Sequence, residues 1–222
     1  NFNFNVDRLG ECMIENPVKT TNYVEDGDRT LIAHDLAYIC KMHERGAAPS
    51  FEKTGPHARI FHDPAWSRAA IVTCGGLCPG LNDVIKGIVQ CLWFDYGVRH
   101  IFGVRYGLAG FLPKYGHEPM ILDPEVVDDL HQEGGTILGS SRGGQDTAEI
   151  VSTLSRLNIN MLFCIGGDGT LRAARDIAEE AKRRQLKISV VGVPKTIDND
   201  LAVIGRSFGF ETAVYATGTV IT

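Results

Sequence analysis

The sequence predicts an α/β domain with an open, mostly parallel sheet and helices on both faces. Short unbroken apolar runs, typical of strands that are buried on both sides, recur along the chain from residue 68 onward. Segments with apolar residues at helical spacing alternate with these runs, and glycine-rich connections join them. Strands that alternate with helices over short connections form parallel βαβ units, and a series of such units builds a Rossmann-like sheet.

Residues 1–65 differ from the rest of the chain and are predicted to be an N-terminal extension that packs on the domain at residues 66–222. They are polar and rich in Asp, Glu and His. One amphipathic helix is predicted over residues 30–44, because apolar residues recur there at helical spacing. Prolines and a glycine between residues 49 and 64 then interrupt the pattern. The extension shows no catalytic motif.

Four strands and four helices are predicted in the domain that follows. The strands are placed at residues 69–73, 101–105, 161–165 and 188–193. The helices are placed at residues 81–94, 124–133, 146–157 and 171–184, and a last apolar stretch begins at Phe208. Pro124 in the first turn and Gly134 after the last turn favour the second helix, and Asp146 is a candidate N-cap of the third.

The composition excludes several classes of protein and of ligand. With 44% hydrophobic and 22% charged residues among 222, the chain is typical of globular proteins rather than of disordered or membrane-embedded ones. Its net charge of −5 gives no general attraction to nucleic acid or to a membrane, so we expect neither as a partner. The six cysteines show no metal-binding spacing, which predicts thiols in a reducing compartment, and we expect the cytoplasm.

Loops rich in glycine or polar residues directly follow three of the predicted strands, at the sheet edge where open parallel sheets bind ligands. The first loop, residues 75–82 with the sequence GGLCPGLN, allows the backbone to approach a polyphosphate at the N-terminus of the next helix. It matches neither the P-loop nor the GxGxxG pattern. A tight strand-to-helix turn is the alternative interpretation.

The second loop, residues 166–170 with the sequence GGDGT, isolates Asp168 between glycines at a strand end. One carboxylate in this position suits Mg²⁺, which keeps several waters and takes other ligands from substrate phosphates. Thr170 is expected to cap a helix that begins at Leu171, or to contact a phosphate. A structural Asp in a β-turn is the alternative.

The third loop, residues 194–200 with the sequence PKTIDND, contains two carboxylates two residues apart, those of Asp198 and Asp200. Such a pair can accept a proton from a hydroxyl group and hold a cation, and Lys195 offers a positive charge to a phosphate. Asx-turns in a surface loop would also account for the pattern.

A fourth segment, residues 134–144 with the sequence GGTILGSSRGG, carries Arg142 among glycines. Its guanidinium group is suited to phosphate oxygens, and a flexible surface turn is the alternative. Together the four segments offer a polyphosphate cradle, a carboxylate for Mg²⁺, positive charge and a base for an attacking hydroxyl group. This combination of groups indicates phosphoryl transfer.

The motifs GGLCPGLN, GGTILGSSRGG, IGGDGT and PKTIDND resemble those of the phosphofructokinase family in order and in spacing, over residues 68–213. The GGDGT stretch alone is also similar to one in NAD kinases and diacylglycerol kinases, but those relatives lack a counterpart of PKTIDND. The resemblance implies a phosphofructokinase-like nucleotide-binding domain at residues 66–222. It also implies ATP-dependent 6-phosphofructokinase activity, with fructose 6-phosphate as the acceptor and Mg²⁺ as the cofactor.

The resemblance further implies a role for each matching residue. Asp198 would accept the proton of the 1-hydroxyl group of fructose 6-phosphate, and the residues around it would bind this substrate or support the metal: Lys195, Thr196, Ile197 and Asp200. The other motif residues would line the donor nucleotide site, with Mg²⁺ on the single Asp among them: Gly76, Arg142, Gly143, Gly167, Asp168, Gly169 and Thr170.

Two positions bear on the phosphoryl donor. Family members that use pyrophosphate typically have Asp at the position of Gly169, so the glycine favours ATP. Lys195, in contrast, is typical of pyrophosphate users. Plant and trypanosomatid ATP enzymes are similar to this chain in having both residues. The resemblance therefore implies ATP as the donor, with pyrophosphate as the alternative.

The second half of the family's sequence, with further arginines and a histidine for the sugar phosphate, has no counterpart in these 222 residues. We therefore expect either part of a longer enzyme or a truncated nucleotide-binding module without catalysis. Family members usually assemble as dimers or tetramers, which implies a homo-oligomer for a full-length chain.

Overall fold

The computed structural model describes residues 6–32, 35–44, 50–201 and 203–221. These residues form two compact units, and the boundary along the chain lies between Asp63 and Pro64. The first unit contains two small antiparallel sheets and a helix. Its elements are β1 (Ile14–Glu15), β2 (Arg29–Leu31), α1 (Leu36–Glu44), β3 (Ser50–Glu52) and β4 (Arg59–Ile60). β1 pairs with β4, and β2 pairs with β3.

The helix predicted over residues 30–44 is wrong in its first part, where the chain forms β2 instead. α1 begins only after Asp35, whose Oδ1 atom accepts a hydrogen bond from Tyr38 N at 2.7 Å and so caps the first turn. Pairing with a strand that lies further along the chain outweighs local apolar spacing, and no local pattern reveals it. Residues 33 and 34 of the predicted helix lie outside the described residues.

The second unit is built on a five-stranded sheet in which all but one strand are parallel. Its strands are β5 (Arg68–Thr73), β6 (His100–Val104), β7 (Met120–Leu122), β8 (Met161–Gly166) and β9 (Ser189–Pro194). Their order across the sheet is β7-β6-β5-β8-β9, and β7 pairs antiparallel with β6. The four predicted strands are confirmed as β5, β6, β8 and β9, and the mostly parallel sheet is confirmed with them.

Helices cover both faces of this sheet, as predicted. They are α2 (Leu81–Gln90) on one face and α3 (Thr147–Arg156) and α4 (Asp168–Arg183) on the other. A further helix, α5 (Phe210–Ile221), follows β9 in the chain. Ala69 and Ile71 of β5 pack in the cluster that contains α2, whereas Ala70 and Val72 pack in the cluster that contains α3 and α4. This alternation explains the unbroken apolar run of β5, since both of its faces are buried. None of the described helices is long and apolar enough to cross a membrane.

The helix predicted over residues 124–133 is wrong. The segment forms turns and ends in a short 3₁₀-helix, Leu130–Gln132. Its backbone hydrogen bonds join mostly residues three apart, such as Leu130 N to Val127 O at 3.3 Å. Val127 and Leu130 are the buried residues of the segment, so packing stabilises two positions one short turn apart and not the longer face of an α-helix.

The strand order reverses between β5 and β8. From β5 the chain moves to β6 on one side of the sheet, and later returns to β8 and β9 on the other side. The connections that leave the carboxyl ends of β5 and β8 therefore run in opposite directions and leave a crevice between them. Ligands of open α/β sheets bind in such a crevice.

We expect the cap of α3 to contribute measurably to stability. Asp146 Oδ1 accepts a hydrogen bond from Glu149 N at 3.1 Å, which satisfies a backbone donor at the helix start. Asp146→Ala is expected to lower the free energy of unfolding by about 1 kcal/mol. Asp146→Asn, which keeps a capping oxygen, should lower it by much less. Urea denaturation of the two variants checks this, and equal losses would contradict the cap.

Candidate active site

A cavity of about 350 Å³ lies at the carboxyl ends of β5 and β8, in the crevice where the strand order reverses. Residues from all four sequence motifs line it. Those predicted for the donor site all do so, together with the lysine of the third loop: Gly76, Arg142, Gly143, Gly167, Asp168, Gly169, Thr170 and Lys195. The fold therefore brings together residues that are more than a hundred positions apart in the chain.

The first loop passes close to the third at Gly75 and Gly76, both of which lie next to the Lys195 side chain. Gly75 has a φ of +82°, and a Cβ atom there would lie 3.6 Å from Lys195 Nζ. Cys74 N donates a hydrogen bond to Ile165 O at 2.9 Å, which continues the pairing of β5 with β8 past the strand end. The left-handed backbone at Gly75 explains why glycine is required there.

Lys195 is almost fully buried, with 5% of its surface exposed, and its Nζ atom donates a hydrogen bond to Gly76 O. Burial lowers the pKa of this ammonium group, and the nearby Arg142 guanidinium lowers the pKa as well. The two cations give this cavity a local positive charge, although the protein as a whole has a net charge of −5.

The second loop differs from its prediction. α4 begins at Asp168, with Gly167 as its N-cap residue, so Thr170 lies inside the first turn and is not the cap of a helix starting at Leu171. The side chain of Thr170 is buried against Gly166, where a Cβ atom would come within 2.8 Å of Thr170 Cγ2. Glycine at position 166 thus lets the first turn of α4 fold back onto the end of β8.

Asp168 presents a mostly exposed carboxylate at the N-terminus of α4. Its side chain is 69% exposed, and its Oδ2 atom lies 3.8 Å from Arg172 Nη2 one turn along the helix. Among the described residues, no group of three or more His, Cys, Asp or Glu side chains could hold a metal ion. A single carboxylate next to an anion-binding helix terminus instead fits Mg²⁺ that is shared with a phosphorylated ligand.

The third loop is closed by its own side chains. Thr196 Oγ1 donates a hydrogen bond to Asp200 Oδ1 at 2.5 Å and accepts one from Asp198 N at 3.2 Å. Asn199 has a φ of +53°, and its Oδ1 atom accepts a hydrogen bond from Ser207 N at 2.7 Å. These contacts hold the loop with the Asp198 carboxylate exposed to solvent.

The residues predicted on the acceptor side do not line the cavity, apart from Lys195. Thr196, Ile197, Asp198 and Asp200 all lie outside its lining. The structure therefore brings the predicted donor residues together in one cavity. Asp198, the predicted base, lies three residues after Lys195 in the chain but does not line that cavity.

Several lining residues were missed by the sequence analysis. Three lie outside the four motifs: Cys74, Leu108 and Ala173. Three others lie within the motifs but were given no role of their own: Gly75, Ser141 and Gly144. Burial raises the pKa of the Cys74 thiol to about 11, so the group is neutral near pH 7. Leu108 belongs to a 3₁₀-helix, Gly107–Phe111, after β6, and no sequence signal distinguishes it. For Ser141 and Gly144, their position next to Arg142 and Gly143 was a usable signal.

The model of the phosphofructokinase family matches residues 68–222 of the chain. An ATP-dependent 6-phosphofructokinase of Borreliella burgdorferi is 49% identical over 220 residues, which cover 96% of this chain and 49% of that protein. One of Trypanosoma cruzi is 53% identical over 163 residues, which cover 73% of this chain and 34% of the relative. The chain thus spans about half the length of the first of these relatives.

Solved structures with the same fold include a phosphofructokinase of Pichia pastoris in the T-state, at a TM-score of 0.60 and 24% identity. The match covers 72% of this chain and 18% of that one. A pyrophosphate-dependent phosphofructokinase of Marinobacter aquaeolei matches at a TM-score of 0.56 and 24% identity, over 61% of this chain and 35% of the other. At this identity the likeness concerns the fold alone.

We expect two glycines of the second loop to differ sharply in their tolerance of a methyl group. Gly166→Ala places the Cβ atom against Thr170, so a loss of about 1–3 kcal/mol in the free energy of unfolding is expected. A Cβ atom at Gly169 meets nothing within 4 Å, so Gly169→Ala in the same turn should be neutral or stabilising by up to about 1 kcal/mol. Thermal and urea denaturation compare the two variants. Equal tolerance would contradict the packing of Thr170 on Gly166.

Proposed function

The chain belongs to the phosphofructokinase family, and we propose that it forms the donor-binding part of an ATP-dependent 6-phosphofructokinase. In this reaction the γ-phosphoryl group of ATP passes to the 1-hydroxyl oxygen of fructose 6-phosphate, ADP leaves, and a base accepts the hydroxyl proton. The observation that carries the proposal is the single cavity that gathers Gly76, Arg142, Asp168 and Lys195 at the carboxyl edge of the sheet. A cavity that combines glycine loops, positive charge and one carboxylate is suited to binding a triphosphate with its metal ion.

The triphosphate is held by backbone and by cations. The N-terminus of α4 presents free N–H groups and the positive end of the helix dipole to the cavity. Arg142 of the fourth segment binds the phosphate oxygens. Lys195, whose ammonium group is hydrogen-bonded to Gly76 O of the first loop, neutralises their negative charge. Fixed donors of this kind stabilise the charge that moves from the transferred group to the leaving ADP.

Asp168 holds Mg²⁺ in this proposal. Bound there, the ion would neutralise phosphate charge and orient the transferred group. The carboxylate fits that role because it is exposed at the N-terminus of α4 and, within the part of the chain that the structure describes, makes one long ion pair, to Arg172. The remaining ligands of the ion would come from water and from the donor phosphates.

Asp198 is the proposed base, and the residues around it shape the acceptor side. The hydrogen bond from Thr196 to Asp200 and the one from Asp198 N to Thr196 Oγ1 fix the loop that carries the carboxylate. Thr196, Ile197 and Asp200 would then contact the sugar phosphate. A hydroxyl group is acidified as its oxygen bonds to phosphorus, so the exposed Asp198 carboxylate suffices to accept the proton.

ATP is the proposed donor, and pyrophosphate is the alternative. A Cβ atom at Gly169 would meet nothing within 4 Å, so the cavity has room where a longer donor continues beyond two phosphates. Leu108 and Ala173 give the cavity an apolar wall, which suits a nucleotide base rather than pyrophosphate. Lys195 favours the alternative, because a lysine at this position is typical of family members that use pyrophosphate.

The remaining proposals concern the chain as a whole. We propose that residues 1–65 are an N-terminal extension to a nucleotide-binding domain at residues 66–222, that the native protein is a homo-oligomer, and that it acts in the cytoplasm. All six cysteines are free thiols, which is typical of a reducing compartment. The net charge of −5 supports the view that neither nucleic acid nor a membrane is a partner.

Donor choice is tested by steady-state rates of the native polypeptide with fructose 6-phosphate. We expect kcat/KM with ATP to exceed that with pyrophosphate by about tenfold or more. Gly169→Asp should weaken ATP use selectively, because its carboxylate would occupy the open space beside the phosphates and repel them. Gly87→Asp, an equal change of charge at an exposed glycine of α2 outside the cavity lining, where a Cβ atom would meet nothing within 4 Å, is the control. A wild-type preference for pyrophosphate would reverse the assignment.

The role of Asp198 is tested in the same assay. Asp198→Ser is expected to lower kcat by roughly 10²–10⁴ while leaving the KM for ATP unchanged, since a general base contributes about that much. Asp128→Ser, at an exposed Asp elsewhere in the domain, should leave both constants unchanged. A loss in kcat of less than about tenfold on Asp198→Ser would exclude this carboxylate as the base.

A further inference from the structure

The segment from Glu133 to Arg142 contains two residues that line the cavity, but it forms no helix or strand. It leaves the 3₁₀-helix Leu130–Gln132 and reaches the cavity at Ser141 and Arg142 before α3 begins. Backbone hydrogen bonds order part of it, such as the one that Tyr106 N donates to Leu138 O at 2.8 Å. Two buried polar side chains from outside the segment, those of Thr73 in the sheet and Asn82 in α2, contribute further hydrogen bonds.

Asn82 brackets the start of the segment. The residue is buried, with 2% of its surface exposed, and lies in the first turn of α2. Its Nδ2 atom donates a hydrogen bond to Glu133 O at 2.9 Å, and its Oδ1 atom accepts one from Ile137 N at 2.9 Å. The single amide group thus fixes the distance between the two ends of the turn at residues 134–136.

Thr73 holds the middle of the segment at the carboxyl end of β5. Its fully buried Oγ1 atom lies 2.9 Å from Thr136 Oγ1 and donates a hydrogen bond to Gly139 O at 2.8 Å. Because each hydroxyl group has one proton, Thr136 must be the donor in the contact between the two threonines. Thr136 Oγ1 in turn accepts a hydrogen bond from Leu138 N at 3.2 Å, which completes a short polar network.

The first loop holds the end of the segment through two hydrogen bonds of the Gly75 backbone. Ser140 Oγ donates a hydrogen bond to Gly75 O at 2.7 Å, and Gly75 N donates one to Ser141 O at 3.0 Å. Arg142 comes next, and a Cβ atom at Gly76 would lie 3.6 Å from its Nη2 atom. Hydrogen bonds therefore hold the segment at successive points from Glu133 to Ser141, the residue before Arg142.

We propose that Asn82 is a positioning residue for donor binding, which it supports by setting the path of residues 133–142 and thereby the place of the Arg142 guanidinium group. Thr73 acts in the same way one step closer to the cavity. The inference rests on the proposed function, because it treats the cavity as the donor site. Neither side chain lines the cavity, so any effect on the donor must pass through the segment.

A role in stability alone would look similar in a single variant, so the test measures coupling. Asn82→Ala, Arg142→Ala and the double variant are compared with wild type in the native polypeptide. Calorimetry measures the affinity for a non-hydrolysable ATP analogue with Mg²⁺, and steady-state kinetics measure the KM for each substrate. Thr73→Val, which keeps the size of the side chain and removes the hydroxyl group, serves as a second variant if Asn82→Ala does not fold.

We expect Asn82→Ala or Thr73→Val to weaken binding of the analogue about tenfold, with the KM for fructose 6-phosphate unchanged, since a misplaced guanidinium group forfeits a charged hydrogen bond. In the Arg142→Ala background the same changes should weaken binding by less than about twofold, because coupled residues are not additive. Asn160→Ala is the matched control. Its Oδ1 atom accepts a hydrogen bond from Arg68 N at 2.9 Å at the opposite end of β5, so it should lower the melting temperature and leave donor affinity intact.

The outcomes separate the inference from the function on which it rests. Losses that add to that of Arg142→Ala, or unchanged affinity in both Asn82→Ala and Thr73→Val, would overturn the positioning role while the donor site stands. A wild-type protein that binds neither the ATP analogue nor pyrophosphate would overturn the proposed function, and the inference with it.

Discussion

The parallel pairing of β5 with β8 is the constraint on which the rest of the structure depends. Val72 is in register with Cys164 and Thr73 with Ile165, and the bond from Cys74 N to Ile165 O extends the pairing beyond the strand ends. The chain leaves one strand for β6 and the other for β9, so the two exits diverge. Every motif in the cavity either leaves one of these exits or is hydrogen-bonded to it. The crevice follows from sheet topology before any side chain is considered.

Charge at the crevice is local, since the protein as a whole is acidic. A buried ammonium group loses hydration, which is why the pKa of Lys195 is lowered, and the bond to Gly76 O compensates only part of this loss. An anionic ligand would offset this lowering of the pKa, because an opposite charge stabilises the protonated ammonium form. The same lysine joins the third loop to the first. One side chain therefore contributes to the order of the cavity and, in the proposed function, to its affinity for phosphate.

The fold class and the main strands could be predicted from the sequence because both depend on local pattern. A strand covered on two faces is apolar throughout, and an amphipathic helix repeats every turn, so β5, β8 and α4 are visible without a structure. The errors arise where distant residues decide. β2 forms because β3 lies beside it, and β7 is a short edge strand that exists through its pairing with β6. Local spacing favoured a helix over residues 124–133, but only Val127 and Leu130 of this segment are buried.

At the site, the sequence by itself determined which chemical groups are available and that three of the motifs follow strand ends. Tertiary structure decided which of them share a cavity: it brought Arg142 and Lys195 to the glycine loops and left Asp198 outside the lining. It also added Leu108 and Cys74, whose contribution depends on burial and not on any motif. The physical reason is that a motif records the backbone freedom and the chemistry of neighbours in the chain. Distances between loops depend instead on strand order and on buried polar contacts across the sheet, such as those of Asn82.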